Sequence, residues 1–150
     1  MTTQNLIFKT GDMFTTSLPA IAHGVNCHAA MRSGVAAIVA RKFPEVEEAY
    51  NELCDNGELE PGDMFAMKSE DGKIVLNLAS QNLPGADARL DWLRASYIEA
   101  LQHCADYDIK GFAMPRIGAG IGGLQWEDVL AVIEEETAKA PNVTVEVWSL

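Results

Sequence analysis

Strand-like apolar runs and helix-like amphipathic stretches follow one another along this chain. Leu6 to Lys9 reads as a short strand closed by Gly11-Asp12, and Ala20 to Asn26 is a nearly continuous apolar run suited to a buried sheet position. Gly34 to Lys42 predicts a helix. Pro44 starts another, in which Val46, Ala49, Tyr50 and Leu53 fall at i, i+3, i+4 and i+7, Glu45, Glu47, Glu48 and Glu52 face water, and Gly57 ends the run. Met64 to Lys68 and Lys73 to Ala79 flank the turn dipeptide Asp71-Gly72 and predict a hairpin. A loop follows over Asn82 to Ala88. Leu93, Tyr97, Ala100, Leu101 and Cys104 trace one face of a helix from about Asp91, and Lys110-Gly111 leads into a strand over Phe112 to Pro115. Trp126, Val129, Leu130 and Ile133 mark the last long helix. Val143, Val145 and Val147 alternate with Thr144 and Glu146 in a final strand.

Strands separated by helices predict a layered α/β fold, and the hairpin makes its sheet mixed rather than purely parallel. At 150 residues, with no repeat, linker or low-complexity tract, the chain reads as a single domain over residues 1–150. The formal net charge of −11 argues against direct non-specific nucleic-acid binding, which neutralises phosphates with clustered Lys and Arg. It does not exclude an anionic ligand held by local N–H groups, because exposed charges are screened beyond roughly 8 Å at physiological salt. Cys27, Cys54 and Cys104 lack CxxC spacing, so reduced thiols are expected. His28, His103 and the cysteines show no ligand spacing, and no metal site or cofactor is expected. No apolar run approaches the ~18 residues of a membrane span, and no leader pattern opens the chain, so a cytoplasmic location is expected.

The stretch from Met114 to Trp126, MPRIGAGIGGLQW, carries the most chemistry. A strand runs into Gly118, Gly120, Gly122 and Gly123, and a helix follows. Glycine lets backbone approach a ligand closely, and a helix start adds free N–H groups with partial positive charge, which together make a phosphate cradle. A second glycine-containing turn before a helix lies between Gly24 and Pro44. Both turns leave strand ends, so the pattern predicts one crevice able to hold a diphosphate. Gly118 to Gly123 also spells G-x-G-x-x-G, but only 27 residues follow it, whereas a dinucleotide fingerprint opens a longer unit with an acid about 20 residues later. No Gly-Lys-Ser/Thr ending supports a P-loop.

Lys9-Thr10-Gly11-Asp12-Met13, Ala22 to Pro44, Met114 to Val129 and Val143 to Leu150 together resemble the macrodomain family, the ADP-ribose-binding modules. The nearest branch holds ADP-ribose 1″-phosphate phosphatases and terminal ADP-ribose–protein glycohydrolases. The resemblance implies a three-layer α/β/α fold with a mixed central sheet. It also implies that Asp12 accepts a hydrogen bond from the adenine amino group, with the backbone at Met13 supporting the ring. On pattern alone Asp12 reads equally well as a turn residue. Ser33, Gly34 and Val35, with Gly118, Ala119, Gly120, Ile121 and Gly122 and the flanking Arg116 and Ile117, would wrap the diphosphate and distal ribose. Asn26 would hold distal-ribose hydroxyls or orient an attacking water, since an amide both donates and accepts. His23 stands where the phosphatases carry a histidine. It reads either as a proton relay or as a buried structural residue, because strict alternation sets it on the face opposite Asn26.

Two departures bear on chemistry. The glycohydrolases carry a Lys where this chain has Gln81 or Asn82, and an Asp where it has Gly122, so their covalent route is not expected here. Arg32 stands where the family often has glycine. It either narrows the distal-ribose pocket, grips a terminal phosphate or faces solvent, and Arg116 is likewise a loop anchor or a phosphate ligand. The expected activity is hydrolysis of a group on the distal ribose of bound ADP-ribose, foremost as an ADP-ribose 1″-phosphate phosphatase. Catalytic roles fall to Asn26, His23 and Arg32. The alternatives are a non-catalytic reader of free or protein-linked ADP-ribose, and removal of ADP-ribose from acidic side chains or nucleic acid.

Overall fold

The computed structural model describes residues 4–150. Its strands are β1 (Leu6–Thr10), β2 (Ala20–Gly24), β3 (Met64–Lys68), β4 (Ile74–Leu78), β5 (Gly111–Met114) and β6 (Thr144–Ser149). The helices are α1 (Gly34–Lys42), α2 (Pro44–Asp55), α3 (Leu90–Asp106) and α4 (Trp126–Ala138). The strands pair in the order β1-β6-β5-β2-β4-β3, parallel throughout except for the β3–β4 hairpin.

Helices cover both faces, as a mostly parallel sheet requires. On one face Leu93, Tyr97, Ala100, Leu101 and Cys104 of α3 and Val129 and Ile133 of α4 pack on Ala20, Ala22, Leu76, Phe112, Met114 and Val145. On the other, Val39 of α1 and Val46 and Tyr50 of α2 pack on Ile21, Val75 and Ala113. Each fully buried aliphatic side chain in these layers contributes about 1.5–3 kcal/mol. Phe43 joins α1 to α2 with its ring buried, and Pro44 occupies the first turn of α2, where its missing N–H is not needed.

Two elements differ from the sequence pattern. β2 ends at Gly24 rather than Asn26: its partner β4 ends at Leu78, to which the Val25 N–H still donates, and beyond that point the Cys27 N–H donates to Asn82 O in the loop after β4. Met13–Thr15 forms one turn of 3-10 helix, capped by Asp12, whose side chain accepts from the Phe14 N–H. The fold places the carboxyl ends of β1, β6, β5, β2 and β4 along one edge. The chain leaves neighbouring β2 and β5 toward opposite faces, to α1 and α4, which opens a crevice between their loops. Among the described residues, no helix is long and apolar enough to cross a membrane.

Candidate functional site

The crevice is a cleft of about 390 Å³, a size suited to a small-molecule ligand. Three chain segments wall it: residues 23–36 after β2, residues 115–122 after β5, and Ser80, Gln81, Pro84 and Gly85 after β4.

The first wall is held by side chains. Asn26, 7% exposed, accepts from the His28 N–H and the Tyr50 hydroxyl through Oδ1, at 2.9 and 3.0 Å, and donates from Nδ2 to Ala30 O at 3.0 Å. The Tyr50 hydroxyl also approaches Asn26 O at 2.6 Å. The single Tyr50 hydroxyl hydrogen is thus shared between the two Asn26 oxygens, and one Nδ2 hydrogen is left to donate. Ser33 stands at the start of α1 without a side-chain capping bond. The N–H groups of Gly34, Val35 and Ala36 consequently emerge from the helix end with no acceptor among the described residues. Gly34 takes a φ of +59°, which favours glycine.

The second wall is held by backbone alone. Leu124 N–H donates to Gly118 O and Gly123 N–H to Gly120 O, and the N–H groups of Gly118, Gly120, Ile121 and Gly122 find no acceptor among the described residues. A Cβ on Gly122 would lie 2.8 Å from Gly118 O and 2.9 Å from the Ala88 side chain. The place where the glycohydrolase pattern carries an aspartate thus has no room for a side chain. The exposed Ile121 reaches across to Gly34, so that a Cβ there would meet it at 3.3 Å.

The lining contains no Asp, Glu or Lys, although the chain carries 22 acidic residues, and its charged side chains are Arg32 and Arg116. Arg32 forms no ion pair among the described residues, whereas Arg116 lies over the Trp126 ring at 5.2 Å, which anchors its stem beside the cleft. The two sets of unpaired amides add partial positive charge to these guanidinium groups. Such a cleft favours an anion.

His23 and Asn26 both line the cleft, because β2 ends before alternation could separate them. The His23 side chain is buried, with Nε2 2.6 Å from Asn77 Oδ1. Asn77 donates its amide nitrogen to Phe65 O, so its oxygen faces His23 and Nε2 carries the hydrogen, leaving Nδ1 unprotonated and without a partner. Burial lowers the His23 pKa to about 4 against the smaller opposing effect of the Asn77 bond. The ring is neutral at pH 7. Cys27 is no nucleophile either: burial, reinforced by Cys54, Asp63 and Glu60, pushes its thiol up to about 12.

Asn26, His23, Arg32, Ser33, Gly34, Val35, Arg116, Ile117, Gly118, Gly120, Ile121 and Gly122 thus come together. Ala119 does not line the cleft. Asp12 and Met13 also lie outside it, Asp12 exposed and Met13 with its side chain in the core. Asp12 follows β1, two strands from β5 on the same edge, which puts it roughly 10 Å along from the cleft at ordinary strand spacing. Sequence reasoning missed the third wall. Gln81 builds it by donating to Leu83 O and Gly85 O, and Ser80 is buried at its base. The available signal was the rule that loops at carboxyl ends of parallel strands carry sites, which applies to β4 as much as to β2 and β5.

The sequence model of the Macro domain matches residues 22–133. A DNA ADP-ribosyl glycohydrolase of Mycobacterium tuberculosis is 29% identical over 146 residues, a match covering 95% of this chain and 42% of that protein, so the chain spans about two fifths of that relative's length. An ADP-ribose 1″-phosphate phosphatase of Candida albicans is 28% identical over 139 residues, covering 83% of this chain and 89% of that protein. The solved macrodomain of Mycobacterium tuberculosis DarG superposes with a TM-score of 0.90 at 28% identity, covering 97% of both chains.

Proposed function

We propose that this chain, which belongs to the Macro domain family, binds ADP-ribose in the β2–β5 crevice and hydrolyses a group carried on its distal ribose. ADP-ribose 1″-phosphate is the substrate that fits best. The observation that carries this reading is the pairing of two facing sets of unpaired backbone amides with a lining that holds arginines and no carboxylate or lysine. The amides of Gly34 to Ala36 and of the Gly118–Gly122 loop take the diphosphate. Arg32 meets the terminal phosphate, and Asn26 donates its remaining Nδ2 hydrogen to a distal-ribose hydroxyl or to the water. Attack of that water on phosphorus breaks the bond to the ribose oxygen, which leaves with a proton, giving ADP-ribose and inorganic phosphate. Positioning and charge stabilisation carry such a step without a protein nucleophile, and positioning alone lowers barriers by up to about 7–11 kcal/mol. His23, neutral at pH 7, supports the β2 end through Asn77 rather than carrying a proton. The activities of the fungal and mycobacterial relatives support a hydrolase acting on ADP-ribose derivatives. A cytoplasmic site of action fits the free thiols.

A non-catalytic reader of free or protein-linked ADP-ribose is the second reading, favoured by the absence of Lys, Asp and Glu from the lining. Calorimetry with ADP-ribose tests what the two share, and absence of heat at high micromolar ligand defeats both. Phosphate release from ADP-ribose 1″-phosphate separates them: the enzyme reading expects release by the wild type and its loss in Asn26→Ala and Arg32→Ala. Release from ADP-ribosylated DNA without release from the 1″-phosphate assigns the activity to the mycobacterial relative's class instead, and release from an acidic peptide alone assigns it to removal of ADP-ribose from acidic side chains.

A further inference from the structure

The loop after β4 is bonded to both of the loops that carry unpaired amides. At its start Asn82 O accepts from the Cys27 N–H at 2.9 Å and Gln81 O from the Cys27 thiol at 3.6 Å, which ties it to the loop after β2. At its end the Ala88 N–H donates to Gly122 O at 3.1 Å, and the close approach continues along the glycine loop, where a Cβ on Gly123 would lie 3.1 Å from the Ala86 side chain. The gap between the two amide sets is therefore spanned by residues 82–88. The tip from Leu83 to Ala86 is exposed, so apolar burial contributes little to its shape. Two side chains supply what burial does not. Gln81 donates both Nε2 hydrogens across the loop, to Leu83 O at 2.6 Å and Gly85 O at 2.9 Å, and Asp87 Oδ2 accepts from the N–H groups of Asn82 and Leu83 at 3.2 and 2.8 Å. A bridge between Gln81 and Ala88, with the Arg89 N–H donating to Ser80 O, closes the base of the loop. Gln81 is one of the two positions at which the glycohydrolase pattern carries its lysine, and here the amide has no hydrogen left to offer a substrate.

We infer that Gln81 and Asp87 are positioning residues: by fixing the shape of the 82–88 loop they set the distance between the amides that follow β2 and those that follow β5, and so favour a ligand with two linked phosphates over one with a single phosphate. This rests on the ADP-ribose reading of the cleft. Backbone amides cannot turn toward a ligand as side chains do, so two sets meet a diphosphate together only when the loops that carry them stand at a matching separation. Ordering a loose connection at the moment of binding would offset part of the gain. A connection shaped beforehand removes that loss. One phosphate engages one set and gains nothing from the fixed gap.

The test compares calorimetric affinity of the full chain for ADP-ribose with its affinity for AMP, which carries a single phosphate. Gln81→Met, which keeps the side-chain length and removes both donors, and Asp87→Ala should each weaken ADP-ribose by about threefold to tenfold, the scale of a lost hydrogen bond that orders the loop. Asp87→Asn keeps a carbonyl oxygen for the two N–H groups and should stay within about twofold of the wild type, the scale of a lone exposed charge. AMP should bind all four proteins alike. In the free protein the Cys27 and Ala88 amides, which make the two ties, should exchange hydrogen faster in Gln81→Met, while those of Val132 and Ile133 within α4 keep the wild-type rates. Equal weakening of ADP-ribose and AMP, unchanged ADP-ribose affinity in both Gln81→Met and Asp87→Ala, or an Asp87→Asn as weak as Asp87→Ala overturns the positioning role and leaves ADP-ribose binding standing. A wild type that binds no ADP-ribose overturns the function proposed for the cleft, and with it the preference for two phosphates.

Discussion

The two loops that face each other across the cleft are built by opposite means. The loop after β2 is held by polar side chains: Asn26 bonds His28 and Ala30 within the loop and receives the hydroxyl of Tyr50 from α2, while Cys27 and Met31 are buried beside it. The loop after β5 has no side-chain hydrogen bond among the described residues. It is shaped by backbone bonds and by glycines packed so closely that Gly122 admits no Cβ. One loop spends its polar side chains on its own geometry and presents a helix end. The other gives up side chains and presents bare amides. An anion held between them would meet unpaired backbone N–H groups on both sides.

The largest consequence concerns the first loop and acid. His23 lies at its base with its pKa lowered from the ordinary 6.5 to about 4. The unfolded chain therefore binds more protons between these values, and the stability that a neutral His23 allows is full above pH 6.5, falls as pH drops toward 4 and is exhausted below that. At 1.36 kcal/mol per unit the loss is on the order of 3 kcal/mol. Denaturant unfolding followed across this range should show it in the wild type and a flatter profile in His23→Gln. An equally steep profile in the variant would assign the acid sensitivity to another group. Glu146 acts in a separate window: burial opposes its charge, but the Thr16, Trp148 and Lys9 donors hold its carboxyl below the ordinary glutamate value of about 4.3, so its stabilisation is complete above that value and is lost as pH falls through the lower native one.

A pair of substitutions probes the second loop. Gly122→Ala pushes a methyl group against Gly118 O and Ala88 and should destabilise by about 1–3 kcal/mol, with weakened ADP-ribose binding. Gly120→Ala, which meets nothing within 4 Å, should change stability by less than about 0.5 kcal/mol. Equal melting temperatures for the two variants would remove close packing as the basis of this loop. The smallest effect separates the loops again. Tyr50→Phe takes a donor from Asn26 and should destabilise by about 1 kcal/mol, with a further loss of ADP-ribose affinity if Asn26 is held in place by that bond. Unchanged affinity would show that Ala30 and His28 suffice to orient the amide.

Local pattern was enough for most elements. Helix period placed Val46 and Tyr50 inward and Glu48 and Glu52 outward, with Glu45 and Glu47 half-buried rather than facing water, and the glycine spacing after Met114 marked a backbone-lined turn, because both signals are carried by neighbours in the chain. The end of β2 was not legible. The run from Ala20 to Asn26 is apolar enough to continue as strand, and it stops where its partner β4 ends at Leu78. That change in hydrogen bonding brings His23 and Asn26 into one cleft.

The sequence by itself determined the layered α/β class, the two glycine-containing turns and the absence of the lysine and aspartate that a covalent route needs, since each depends on residue type and spacing along the chain. Only the tertiary structure decided that the loop after β4 forms a third wall, that Gly122 has no space for a side chain, that Asp12 stands apart from the cleft, and that His23 is neutral. These depend on distances between residues far apart in the chain and on exclusion of water, which strand order and packing create and which no local pattern encodes.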